Sequence, residues 1–419
     1  MARPPRPKSD VSVTPKPKAP GEWSPRPIPT PGVGRSTADP VTPKLKELAA
    51  RAQKASVVAD AVGAVIRPDQ VAAQAPAQLA SLLTSTVPVE PQTLEAKRQR
   101  AEWRRSLVQS ARERAASMPP GEDRTALLAT ASRFEDDTRA VDRMKLAKHV
   151  YDFAKNPSTP PPIGFEQLKT DAALTPFELK KSDLEPHGSD FRAAVYRSQL
   201  DPRGTPILVF RGTQTGDDWD NNFRQGSALV SDHYVRALRV GRSLSDATRS
   251  TGGFETAGHS LGGGMASAVS AKFKVRGDTF NAAGVSEATL ARVGASRANG
   301  ASLLNAYNVD GEILTALQND GARTGPADGL RYLPIAGGVI DGLGGLREVT
   351  GQRLAPDALG RKRMIPAVDP PEYQGMGAMN PMKYLNRHYS PVVLAGFEQE
   401  KSLDSRTLGL AVRPPGPIR

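Results

Sequence analysis

The chain has 419 residues, 38% of them hydrophobic, and a formal net charge of +12. That length holds two or three domains, or one enzyme domain with long extensions, and the basic balance favours anionic partners such as phospholipid head groups or nucleic acid over acidic-patch readers. With no cysteine in the chain, disulfides, thiol catalysis and thiolate-bound zinc are excluded.

The first 43 residues carry 12 of the 37 prolines, with Arg3, Arg6, Lys8, Lys16, Lys18 and Arg26 between them. Such a segment cannot build helix or sheet and reads as an extended basic arm. Met1 to Pro20 has no apolar core of the signal-peptide kind, and no run of 18 apolar residues occurs, so neither a secretory leader nor a spanning helix is expected. Residues 44–156 read as a helical N-terminal region. Pro43 to Ile66 has apolar residues at helical intervals and is stopped by Pro68. Val89 to Met118 is a second, Arg-rich helix, broken at Pro119-Pro120-Gly121, and Arg124 to Asn156 a third. No groove-reading motif accompanies the arginines, so nucleic acid is not expected as a partner.

Pro157 to Pro162 marks a boundary, after which strands and helices alternate, the signature of a mainly parallel sheet. Phe191 to Gln199 and Pro206 to Arg211 read as strands, Ser231 to Thr248 as a helix, and Phe254 to Ala257, Thr279 to Ala282 and Leu303 to Val309 as further strands. Pro391 to Lys401 reads as a late helix, and residues 403–419 as a tail.

The stretch that organises the chain is Gly258-His259-Ser260-Leu261-Gly262. It fits Gly-x-Ser-x-Gly, in which a nucleophilic serine sits on a strained strand-to-helix turn and glycines are needed on either side to avoid collision. A strand before it and the small, apolar helix Gly263 to Phe273 after it supply the required context. A serine hydroxyl needs a base to take its proton. Of the five histidines, only His388 lies after Ser260, in the order Ser, acid, His that this motif requires. His259, preceding the nucleophile, should point away and is read as structural. For the acid, Asp310 follows the strand Leu303 to Val309 directly and so emerges at the carboxyl edge of the sheet, where such sites gather; Asp320 and Asp328 are weaker alternatives. The oxyanion of the tetrahedral intermediate would be met by the Leu261 amide and by Thr213, after the strand that ends in Phe210-Arg211-Gly212. Asp217, Asp218 and Asp220 cluster near by, but the spacing is not that of a calcium loop, and neither metal nor cofactor is expected.

Taken together, FRGT, DWDNNFRQG, AGHSLGGGMAS, TFNAAGVS, a strand ending in Asp and a late His resemble the class 3, fungal-lipase-like α/β-hydrolases, over roughly residues 140–402. The likeness is closer to the bacterial branch that includes lipase and phospholipase effectors of type VI secretion. The resemblance implies an α/β-hydrolase fold over 157–402, with Ser260, Asp310 and His388 as triad and Thr213 and Leu261 as oxyanion donors. It also implies hydrolysis of acyl-ester lipids, with membrane phospholipid favoured. An effector would leave its cell by a non-Sec route, act at a target membrane, meet a secretion carrier or chaperone through its N-terminal region, and be matched by a cognate immunity protein. The insertion 311–381 holds an apolar, Gly-rich stretch, Leu333 to Leu346, that reads equally as a lid or as a buried connection; Arg361-Lys362-Arg363 near it reads as a contact for anionic head groups. Rival readings are a catalytically silent scaffold and an esterase or peptidase of soluble substrates.

Overall fold

The computed structural model describes residues 91–212, 232–318, 356–374 and 381–412. They all fall in one of two units, Lys44–Arg419, the other being Met1–Pro43. The Pro-rich arm, the helix expected over Pro43 to Ile66, Thr213, the acidic segment around Asp217 and the stretch Leu333 to Leu346 lie outside the described residues.

Two long helices come first among the described residues. Helix α1 (Leu94–Ala116) begins at Thr93, whose hydroxyl accepts the Ala96 N–H, with Glu95 in the first turn; hydroxyl cap and acidic residue both complement the free amides of a helix start. Helix α2 (Glu122–Lys155) follows the Pro-Pro-Gly break. Seven strands then form one sheet in which spatial order equals chain order: β1 (Phe165–Gln167), β2 (Ala193–Ser198), β3 (Ile207–Phe210), β4 (Glu255–His259), β5 (Gly277–Phe280), β6 (Leu304–Val309) and β7 (Arg361–Ile365). β1, β2 and β3 pair antiparallel, and β3 to β7 pair parallel. Helix α3 (Asp232–Thr248) leads into β4, helix α4 (Leu261–Phe273) joins β4 to β5, and the short helix α5 (Ile313–Gln318) follows β6. Helices α6 (Pro381–His388) and α7 (Ser390–Val412) complete the described chain. The result is a three-layered α/β fold.

The layering follows from the strand order. When parallel strands are added in one direction, right-handed crossovers put every connecting helix on the same face. Accordingly α3 and α4 pack on Val195, Leu208 and Phe210 through Ala237, Val240, Met265 and Val269. The opposite face, with Ala194, Tyr196, Ile207, Val209, Phe280, Tyr307 and Val309, must be covered from outside the crossover series. Met144, Ala147 and Val150 of α2 and Val392, Val393 and Phe397 of α7 cover it. Each large side chain so buried contributes about 1.5–3 kcal/mol. Helix α2 thus falls within the expected N-terminal region 44–156 and yet forms part of the layer under the sheet. Helix α7 runs past residue 402.

Strand β7 was not anticipated, because Arg361-Lys362-Arg363 reads as a surface run. Charge on an edge strand is a common guard against further pairing, and here Arg361 and Lys362 are exposed while Arg363 turns to partners within the protein. Arg363 is paired with Asp137 of α2 and Glu400 of α7, Arg361 donates to Asn305 at 2.8 Å, and Lys362 lies 3.1 Å from Asp357. These ion pairs take up Arg363, one of the three residues read as a contact for lipid head groups, and leave Arg361 and Lys362 exposed. Two further ion pairs, Arg139 with Asp278 and Arg143 with Glu255, tie α2 to the amino ends of β5 and β4. No helix among the described residues is long and apolar enough to cross a membrane.

Candidate active site

Strand β4 passes into α4 through Ser260, whose backbone is held at φ 58°, ψ −128°. A non-glycine residue pays in strain to adopt such a conformation, and it persists only where the surroundings fix it. Here the Ser260 N–H donates to the Phe280 carbonyl at 3.0 Å, and the Ser260 carbonyl accepts from Gly263 and Ala283 at 2.9 and 3.0 Å. The two flanking glycines are required by contact. A Cβ on Gly258 would stand 2.2 Å from the Gly262 carbonyl oxygen, and one on Gly262 2.2 Å from that of Phe210. Leu261 is the first residue of α4, so its amide lies at a helix amino end, the place such sites use for an oxyanion donor. Gly212, at the carboxyl end of β3, comes close to the turn: a Cβ there would meet Ser260 Cβ at 3.2 Å. Thr213, the next residue, is outside the described residues.

His388 is the last residue of α6 and is 2% exposed. Its Nδ1 lies 2.9 Å from Glu312 Oε2. An ionised carboxylate can only accept, so Nδ1 carries the hydrogen and Nε2 of the neutral ring presents the lone pair, the tautomer a general base needs. Glu312 is fully buried. It also accepts from the Leu314 and Thr315 amides and from the Thr315 hydroxyl at the start of α5.

The partner of His388 is therefore Glu312, whereas the sequence reading had placed Asp310 there. The cause is one turn. The Asp310 N–H donates to the Ile365 carbonyl, extending the β6–β7 ladder, and the Asp310 side chain is left exposed. Gly311 then adopts φ 67°, and Glu312 N–H closes the turn on the Val309 carbonyl at 3.1 Å. The chain folds back, and the residue two positions on points into the protein. The available signal was Asp310-Gly311 itself, since a glycine at the third position of a turn reverses the chain.

His259, read from the sequence as structural, packs beside His388 and takes part in the site by hydrogen bonding. Its Nε2 donates to the His388 carbonyl at 2.6 Å. Its Nδ1 lies 3.3 Å from the Tyr151 hydroxyl. Burial, and after it the neighbouring His388, hold the His259 pKa down, to about 3, so the ring stays neutral. Asn281, at the carboxyl end of β5 with φ 42°, donates to the Arg387 and His388 carbonyls at 3.0 Å each and accepts the Val309 N–H at 2.8 Å. Left-handed asparagine is tolerated where its short side chain bonds locally. Sequence reasoning missed Glu312, Asn281 and Tyr151; no local pattern marks Tyr151, which reaches the site from α2. Among the described residues no group of three or more acidic or histidine side chains is placed to hold a metal.

A strained serine elbow and a buried imidazole–carboxylate pair thus stand at the carboxyl ends of the sheet's parallel strands. Residues 142–370 match the phospholipase-like family model described as the Tle-like phospholipase domain, which is more than half of the chain. The chain belongs to this phospholipase-like family. Within the Tle-like phospholipase domain lie Ser260, Glu312, His259 and Asn281; His388 follows its matched end. The chain is also 35% identical over 149 residues to the extracellular phospholipase A1 of Serratia liquefaciens, an alignment that covers 36% of this chain and 43% of that protein. The chain thus spans less than half of that relative's length. In this phospholipase-like chain helix α2, from Asp142 onward, is part of the matched domain, in keeping with its place under the sheet.

Proposed function

We propose that the protein is a serine phospholipase of the A type, hydrolysing acyl esters of membrane phospholipids. The observation that carries this reading is the His388–Glu312 pair buried at the sheet edge that also bears the strained Ser260. In the proposed reaction Ser260 Oγ attacks the ester carbonyl while His388 Nε2 takes its proton. Glu312 holds the ring's other nitrogen and stabilises the imidazolium that forms. The Leu261 amide, with a second donor from the segment after Gly212, receives the developing oxyanion. The imidazolium then gives its proton to the departing lysophospholipid alkoxide, leaving an acyl-enzyme. Water, deprotonated by His388, releases the fatty acid and restores Ser260. Family membership and the partial likeness to a phospholipase A1 support the lipid class of substrate.

Fatty-acid release from mixed phospholipid vesicles, measured beside a Ser260→Ala variant, tests this reading. Release that disappears in the variant is expected, with the lyso-product showing which ester is cut. Equal release from both proteins would exclude Ser260 as the nucleophile. Silence from both would favour a scaffold role.

The resemblance to secreted lipase effectors supports a second tier of the proposal. The enzyme is delivered by a non-Sec route to a target membrane, through a carrier or chaperone that holds the N-terminal region, and the producing cell is protected by an immunity protein. Co-purification from the producing cell of a small protein that abolishes vesicle hydrolysis tests it.

A further inference from the structure

We infer that His259 and Asn281 are positioning residues that set the place of the catalytic base by gripping its backbone. The inference rests on the assignment of His388 as the base and adds what holds it there.

The last carbonyls of a helix have no partner within it. At the end of α6 the last two such groups belong to Arg387 and His388, and both are used as anchors. The His388 carbonyl accepts from His259 Nε2 at 2.6 Å and from Asn281 Nδ2 at 3.0 Å, and the Arg387 carbonyl accepts from Asn281 Nδ2 as well. The two donors stand at the carboxyl ends of adjacent parallel strands, β4 and β5. His259 is covalently next to Ser260. One residue and one hydrogen bond therefore link the backbone of the nucleophile to the backbone of the base, although they are 128 positions apart in the chain.

The donor on β4 is a histidine for a reason that an apolar residue would not satisfy. A carbonyl oxygen only accepts, so Nε2 must carry the hydrogen. That donation fixes the tautomer and leaves Nδ1 without a hydrogen, facing the Tyr151 hydroxyl of α2 at 3.3 Å, which also lies 3.4 Å from the His259 carbonyl and so packs the ring in place. The ring centroids of His259 and His388 lie 4.9 Å apart. A ring that stays neutral at that distance adds no second positive charge when His388 becomes an imidazolium. Asn281 is anchored in turn, since its Oδ1 accepts the Val309 N–H of β6, the strand that leads to Glu312. The base is thus referenced both to the nucleophile strand and to the strand that delivers its carboxylate.

The test compares His259→Leu, His259→Gln, Asn281→Ala and His388→Ala in the full-length protein. Turnover of a soluble p-nitrophenyl ester is measured, together with the rate at which a fluorophosphonate labels Ser260 and the melting midpoint. A displaced base costs about 10²-fold. His259→Leu is therefore expected to lower kcat about a hundredfold with KM unchanged, the pattern of an interaction used in the transition state. His259→Gln, whose amide N–H reaches the position of Nε2, is expected to recover at least about tenfold of that loss. Asn281→Ala is expected to lose about tenfold. If His259→Leu melts too early to assay, the Gln and Asn281 variants carry the comparison. Wild-type kcat in the folded His259→Leu and Asn281→Ala variants, with His388→Ala inactive, overturns the positioning role alone. Equal losses in Leu and Gln also overturn it, in favour of packing. Full activity in His388→Ala removes the base assignment itself.

Discussion

His388 Nδ1 and the Glu312 carboxylate lie 2.9 Å apart, 2% and 0% exposed, while the Asp310 side chain two positions earlier faces solvent. A buried carboxylate that fixes the tautomer of a base is worth about 10⁴-fold in kcat when its charge is removed in serine hydrolases. Glu312→Gln is therefore expected to lose about 10³- to 10⁴-fold in kcat on phospholipid vesicles, and Asp310→Asn less than about threefold. A large loss in Asp310→Asn with little in Glu312→Gln would return the acid to Asp310.

The elbow makes a prediction about stability as well as catalysis. Any Cβ on Gly258 or Gly262 runs into backbone at 2.2 Å, which no rotamer change relieves. Gly262→Ala is expected to destabilise the protein by about 4 kcal/mol or more, in the range reserved for strain and overpacking. Gly409 supplies the contrast. It lies within α7 with nothing within 4 Å of its Cβ position, so Gly409→Ala should stabilise by about 0.5–1 kcal/mol. Chemical denaturation of the two variants decides the matter, and equal midpoints would contradict it.

Helix α2 makes a third prediction, concerning what can be removed. It covers Ile207, Val209 and Phe280 on the face opposite the crossover helices α3 and α4. Deleting residues 1–156 should expose that face and abolish cooperative melting. Within α2, fully buried Met144 offers a milder probe: Met144→Ala is expected to cost about 2–5 kcal/mol. A truncated protein that melts cooperatively near the wild-type temperature would show that the sheet does not depend on α2.

What the sequence made legible follows from how local each requirement is. Ser260 and its glycines were readable because one turn five residues long imposes them all. The strands leading to them were readable from short apolar runs bounded by glycine. His388 was readable because chain order left a single histidine after the serine. Glu312 was hidden by the conformation of one glycine, which decides whether the first or the third residue past β6 turns inward. The role of α2 was hidden for a different reason: its apolar stripe shows that it packs, but only the strand order shows which face of the sheet would otherwise be bare. Strand β7 was masked by its own charges, whose partners Asp137 and Glu400 are far away in sequence.

Burial of His259 also predicts how stability depends on pH. Its pKa is about 3 in the folded protein against an ordinary 6.5, chiefly because burial disfavours the charged ring. Between those values the unfolded chain binds the proton and the folded one does not, so stability falls as pH falls. The contribution is fully present above pH 6.5. About 2 kcal/mol of it is lost between pH 7 and pH 5. His149 and His233, also held below their ordinary pKa by burial, act in the same direction, so the wild-type slope alone does not isolate His259. The difference between proteins does. Denaturant unfolding of wild type and His259→Gln at pH 7 and pH 5 is expected to show a drop smaller by about 2 kcal/mol in the variant, with the residual slope from the other groups, His149 and His233 among them, retained. Identical slopes would mean that the folded protein leaves the His259 pKa at its ordinary value, so that the ring gains its charge between pH 7 and pH 5. A charged His259 would stand beside His388 in the state where the imidazolium forms, and the neutral-ring account of the site would fall with it.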